Sequence, residues 1–124
     1  MSTIIGNEWN QLYANNPKIQ AFAVVKEGAI IWQTENWDLV EDADVIIKAI
    51  KEDKSSVIAG GMKYKKASST VDSYIATADG DKGHLLLVKI DEEIWAIAFA
   101  APHAVPELSI IDVTKSAIQL KGHV

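Results

Sequence analysis

Two short runs constrain this chain more than anything else in it. In the run 19–26, Phe22 and Val24 alternate with Ala23 and Val25, and Leu85 to Val88 is apolar without interruption. Both are too short for ordinary helices and read as strands that are apolar on both faces, so each needs cover on both sides. The rest of the chain supplies that cover. Ile5, Trp9, Leu12 and Tyr13 follow helical spacing and predict a helix over 4–15, ended by Asn15-Asn16-Pro17 because the residue before proline leaves the α region. Leu39, Ala43, Ile46 and Ile50 predict a second helix over 39–52, with Asp38 placed as its cap and Glu41 in capping-box position. Pro106 opens a third, striped by Ile110, Val113, Ala117 and Leu120 and stopped near Gly122.

Between these helices the chain alternates extended runs with turn residues. Lys26-Glu27-Gly28 joins the first run to 29–34 as a hairpin. After the second helix come 57–68 with a glycine break, then 73–78, 84–90 and 94–100. Asp79-Gly80-Asp81-Lys82-Gly83 and Asp91-Glu92 are tight connections, the signature of an antiparallel meander of four or five strands. The expected fold is a single α/β (α+β) domain over 1–124, a three-layer α/β/α sandwich. Its central sheet is mainly antiparallel, with both terminal helices on one face and the middle helix on the other.

Composition excludes several functions. A net charge of -5 argues against general nucleic-acid binding, and all twelve basic residues are lysines, so bidentate guanidinium recognition is absent. With no cysteine there is neither a disulfide nor a thiolate nucleophile nor a cysteine zinc site. The N-terminus lacks a basic start and long apolar core, and the longest apolar run, 94–102, is far short of the roughly 20 residues that span a bilayer. A soluble cytoplasmic protein is expected.

No catalytic set emerges. His84, His103 and His123 lie too far apart in sequence to form a paired metal-ligand motif, and no serine sits in a Gly-x-Ser-x-Gly turn. The Asp79-Gly80-Asp81 turn starts like a calcium loop but has Ile90 where a bidentate acid belongs. The expectation is a protein without enzymatic activity, metal or cofactor.

Recognition then falls to aromatics and lysines. Trp95 belongs with Ile94 and Ile97 in the core, and Trp37 is assigned a structural place beside the second helix. Trp9, Tyr13 and Trp32 either pack the first helix onto the sheet or converge into a surface trough of the kind that grips proline-rich segments. Lys63, Lys65 and Lys66 form the most basic stretch, either a solvated strand face or a site for phosphoinositide headgroups.

In order and spacing these features resemble the profilin family, the small cytoplasmic partners of monomeric actin. Gly61-Met62-Lys63-Tyr64 matches the family's Gly-x-Lys-aromatic strand start, Val88-Lys89 its basic strand end, and Pro102-His103-Ala104-Val105-Pro106-Glu107 the loop before its last helix. The resemblance covers essentially the whole chain, on spacing and residue class more than identity, and suggests a divergent branch such as the archaeal profilins. It implies a monomeric regulator of actin polymerisation whose contacts include Lys63, Tyr64, Lys66, Ser68, Lys89, His103, Val105 and Glu107. It also implies a polyproline trough from Trp9, Tyr13, Trp32 and His123, and this trough departs from the family pattern. Tyr13 falls one residue late, Leu12 takes its place and the closing aromatic is missing, so weak proline-rich binding is expected. The rival reading is a roadblock or longin-like dimer that scaffolds small GTPases.

Overall fold

The computed structural model describes residues 2–124. In chain order its elements are α1 (Ser2–Asn15), β1 (Ile19–Lys26), β2 (Ala29–Gln33), a 3-10 turn (Val40–Asp42), α2 (Ala43–Lys51), β3 (Ser56–Ala59), β4 (Met62–Thr70), β5 (Ser73–Ala78), β6 (Gly83–Asp91), β7 (Ile94–Ala100) and α3 (Pro106–Leu120). The seven strands form one sheet in the order β2-β1-β7-β6-β5-β4-β3, with every pairing antiparallel. The meander is thus five strands long, since the glycine break at Gly60-Gly61 turns the run 57–68 back on itself as β3 and β4.

The doubly apolar strands are covered on both sides. Phe22, Val24, Leu86, Val88, Ala96 and Ala98 meet Ile5 and Leu12 of α1 and Val113, Ala117 and Leu120 of α3. On the opposite face Ala23, Val25, Leu85, Leu87, Trp95 and Ile97 meet Leu39, Ala43, Ile46 and Ala49 around α2. Both terminal helices therefore share one face, and α2 holds the other. Among the described residues no helix is long and apolar enough to cross a membrane.

The second helix departs from expectation at its start. Residues 40–42 form a 3-10 turn, no side chain caps α2, and the Asp38 carboxylate accepts only the Val40 N–H, at 3.3 Å. Tertiary bonds explain this. The Leu39 N–H donates to Gln33 Oε1 at 2.9 Å, and Asp42, at the N-cap position just before α2, accepts the Gly60 N–H at 2.9 Å. At its other end α2 closes in a Schellman arrangement, Lys54 N–H to Ala49 O and Asp53 N–H to Ile50 O, with Asp53 at φ 49°.

Candidate functional site

Strand β4 decides which of the expected contact residues can act together. Tyr64 pairs with Ala78, Lys65 with Thr77 and Lys66 with Ala76; the register then slips, and Ser68 pairs with Ile75. Side chains alternate along a strand, but a bulge resets the alternation. The bulge at Ala67 therefore puts Lys66 and Ser68 on opposite faces although they are two positions apart. Ser68 shares the face of Ile75, under the terminal helices, and Lys66 shares the α2 face with Ala76.

Three expected contact residues consequently fall on the α2 face, opposite Lys63, Lys65 and Ser68. Tyr64 is 1% exposed in the core beneath α2, and burial pushes its phenol up to about 12. Lys66 Nζ lies 2.9 Å from Asp53 Oδ1, which also accepts a hydrogen bond from Ser69 Oγ at 2.7 Å. The Ser69 and Lys66 bonds hold the Asp53 carboxyl below its ordinary value. Lys89 pairs with Trp95 of the α2-side core and is bound to Glu92 at 3.2 Å. A lysine on a strand is free to point either way, and here the register sends both Lys66 and Lys89 away from Lys63.

The terminal-helix face keeps Lys63, Lys65 and Ser68. Over β4 and β5 the exposed side chains continue the surface that α3 covers over β6 and β7. A cross-strand row runs Lys65–Thr77–His84–Ala100 from β4 to β7. Thr77 Oγ1 and His84 Nδ1 are 2.9 Å apart, and His84 Nε2 lies 3.4 Å from Pro102 O, which ties the row to the loop bearing His103 and Val105. At the β3 edge Ser56 pairs with Lys65 and extends the row, and Ile58 pairs with Lys63. Beyond the loop, α3 leaves Leu108 and Ile111 exposed, 63% and 50%. His103, Val105 and Glu107 are all exposed at this same end. Thr77, His84, Leu108 and Ile111 were not singled out as contact residues from the sequence. The signal for the last two is that they fall outside the buried stripe of their helix.

A hollow of about 220 Å³ opens on this face between Gly61, Lys63, Lys65, Asp79 and Lys82. Lys65 is paired with Asp79 at 3.1 Å, both well exposed, which contributes little to stability. The basic cluster is thus Lys63, Lys65 and Lys82; the expected third member, Lys66, faces the other way.

At the opposite edge of the sheet the aromatic trough does assemble. Trp9 and Tyr13 have ring centroids 5.5 Å apart, Trp9 stacks on Phe22 at 6.1 Å, and Phe22 meets Trp32 at 6.3 Å. The spacing of four between Trp9 and Tyr13 keeps them neighbours, because positions three and four apart share a helix face. The one-residue delay of Tyr13 therefore does not separate the pair. Both alternatives weighed for these rings hold at once: Trp9 and Trp32 pack against Phe22, and together with Tyr13, 48% exposed, they line a concavity of about 610 Å³. His123 is not part of its wall, which Gln20 and residues 33–36 complete.

A seven-stranded antiparallel sheet with both terminal helices on one face is the architecture of the profilins. It superposes on Acanthamoeba castellanii profilin IB with a TM-score of 0.76 over 91% of this chain and 93% of that one, at 13% identity, a likeness of fold alone. A LokiProfilin2/rabbit actin complex matches far more closely, with a TM-score of 0.93, 27% identity and complete coverage of both chains. No family model matches the sequence. Curated relatives do: Thor profilin of Thorarchaeota archaeon (strain AB_25) is 36% identical over 128 residues, covering 100% of both chains. Odin profilin of Odinarchaeota yellowstonii (strain LCB_4) is 32% identical over 103 residues, covering 82% of this chain and 85% of that one. The chain belongs to the profilin family, in its divergent archaeal-type branch, and the roadblock or longin-like alternative is set aside.

Proposed function

We propose that this protein binds monomeric actin through the open strand face and the start of α3, and so regulates polymerisation. The observation that carries the reading is the full-length match to a profilin solved in complex with actin. The chemistry of the open face supports it: Lys63 and Lys65 steer an acidic partner, and Val105, Leu108 and Ile111 supply apolar surface to bury. Ser68, Thr77, His84 and His103 lie between the two. Tyr64, Lys66 and Lys89 drop out of the interface. The protein acts as a monomer formed by one domain over residues 1–124, in the cytoplasm, and without catalysis. Added to purified actin, it slows spontaneous polymerisation in proportion to its concentration. Unchanged polymerisation at several-fold molar excess, with no complex by sedimentation, refutes the reading.

A second binding function is supported by the assembled rings. The trough of Trp9, Tyr13 and Trp32 takes a proline-rich segment, whose preformed extended helix lies flat on aromatic faces. An anionic headgroup, as on a phosphoinositide, would use Lys63, Lys65 and Lys82 in place of the sequence-based set with Lys66. Liposome sedimentation with and without the inositol lipid tests that site directly.

A further inference from the structure

Most polar groups along the trough are already committed. Thr34 Oγ1 accepts the Phe22 N–H at 3.3 Å, Asn36 Nδ2 donates to Gln20 O at 3.0 Å, and Gln33 Oε1 holds the Leu39 N–H. With the Trp37 N–H bonded to Thr34 O at 3.1 Å, these contacts fix the turn that carries residue 35. Two kinds of group remain free. The indole N–H groups of Trp9 and Trp32 and the Tyr13 hydroxyl donate to nothing among the described residues, and a proline run, which presents carbonyls and no N–H, can accept from all three. Glu35 is the one ionisable carboxylate of the lining, exposed and in no ion pair among the described residues, and no lysine lines the trough. Along the chain its neighbours have the same sign. Between Lys26 and Lys48 the chain carries Glu27, Glu35, Asp38, Glu41, Asp42 and Asp44 and no basic residue.

We infer that the trough has a cation-selective end built on Glu35, and that its occupant is a proline-rich segment bearing a lysine or arginine beside the proline run. The inference rests on the proline-rich reading above and adds the ligand's charge to it. A cation seated there meets the Glu35 carboxylate on one side and the faces of electron-rich rings on the other, so ion pairing and cation–π attraction act together. An acidic residue at the same place meets only repulsion.

The test uses the intact protein and three synthetic peptides, decaproline alone, decaproline followed by two lysines, and decaproline followed by two glutamates, titrated by tryptophan fluorescence and calorimetry at low salt. The lysine peptide should bind about three- to tenfold more tightly than decaproline, and the glutamate peptide more weakly. In Glu35→Gln the lysine peptide should fall to the affinity that decaproline has for the same variant, so that the ratio between the two peptides closes to about one. Glu35→Lys should reverse the order of the charged peptides, and 0.5 M salt should shrink the differences. Equal binding of the three peptides by the wild-type protein overturns the cation site and leaves the trough standing. A lysine preference that survives Glu35→Gln does the same. Absence of binding by every peptide overturns the trough and, with it, this inference.

Discussion

At the β2 edge of the sheet the protein presents three rings, free donor groups and one unpaired carboxylate, without a lysine. Toward the β3 edge it presents Lys63 and Lys65 on β4, and on the same face α3 leaves Leu108 and Ile111 exposed. The same sheet and the same pair of terminal helices carry both surfaces, yet their chemistry is opposite. One suits an extended, electron-poor or cationic chain, and the other a broad, acidic, partly apolar surface. Because they share no side chain and stand at opposite edges of a rigid sheet, changes at one should leave the other untouched, as expected for sites far apart with no common partner.

Four variants break or sharpen that contrast. The largest effect is expected from Lys63→Glu with Lys65→Glu, which reverses the charge of the open face. Actin affinity should fall by about 2–4 kcal/mol while binding of proline-rich peptides is unchanged, read by calorimetry on the same preparation. Loss of both activities together would show that the two regions are not independent.

The mirror experiment is Trp32→Ala, which removes one wall of the trough. Peptide affinity should drop by about 1–3 kcal/mol, actin binding should hold, and stability should fall modestly because the ring packs near Phe22 at 6.3 Å. Actin binding weakened to the same degree would place the trough within the actin interface.

The third concerns Tyr64, which separates a structural from a contacting role. Its folded pKa, about 12, lies above the ordinary phenol value of 10.0, so the folded state holds the proton that the unfolded chain releases. The stability this contributes is complete below about pH 10 and is lost as pH rises through about 12. Tyr64→Phe keeps the buried ring and removes the titration. It should unfold like the wild type at pH 7, retain about 1–2 kcal/mol more stability near pH 12, and bind actin normally. Weakened actin binding at pH 7 would return Tyr64 to the interface.

Smallest of all is the effect of Lys66→Ala with Lys89→Ala. Both side chains sit on the α2 face in ion pairs with Asp53 and Glu92, so actin affinity should change by less than about 0.5 kcal/mol and stability by less than about 1 kcal/mol in chemical denaturation. A tenfold loss of affinity would mean that the register, not the sequence resemblance, has been misread.

Much of this molecule is visible in its sequence because its patterns are local. The apolar stripes of α1 and α3, the hairpin turn at Lys26-Glu27-Gly28 and the meander turns all follow from neighbours a few residues apart. Trp9 and Tyr13 meet for the same reason, since helical spacing alone makes them neighbours. The start of α2 was illegible because it is fixed by Gln33 and Gly60, distant in sequence, through bonds to Leu39 and Asp42.

By itself the sequence determined that strands apolar on both sides need helices on both faces, that the two terminal helices and the turns lie where they do, and that no cysteine or arginine chemistry is present. Only the tertiary structure decided which side chains act together. Lys66 alternates with Tyr64 toward α2, the slip at Ala67 returns Ser68 to the open face of Lys63 and Lys65, and the pairing with Trp95 turns Lys89 away. The physical reason is that a strand's side chains have a period of two, so one extra residue exchanges the faces of everything beyond it, and register is chosen by the partner strand rather than by the strand itself.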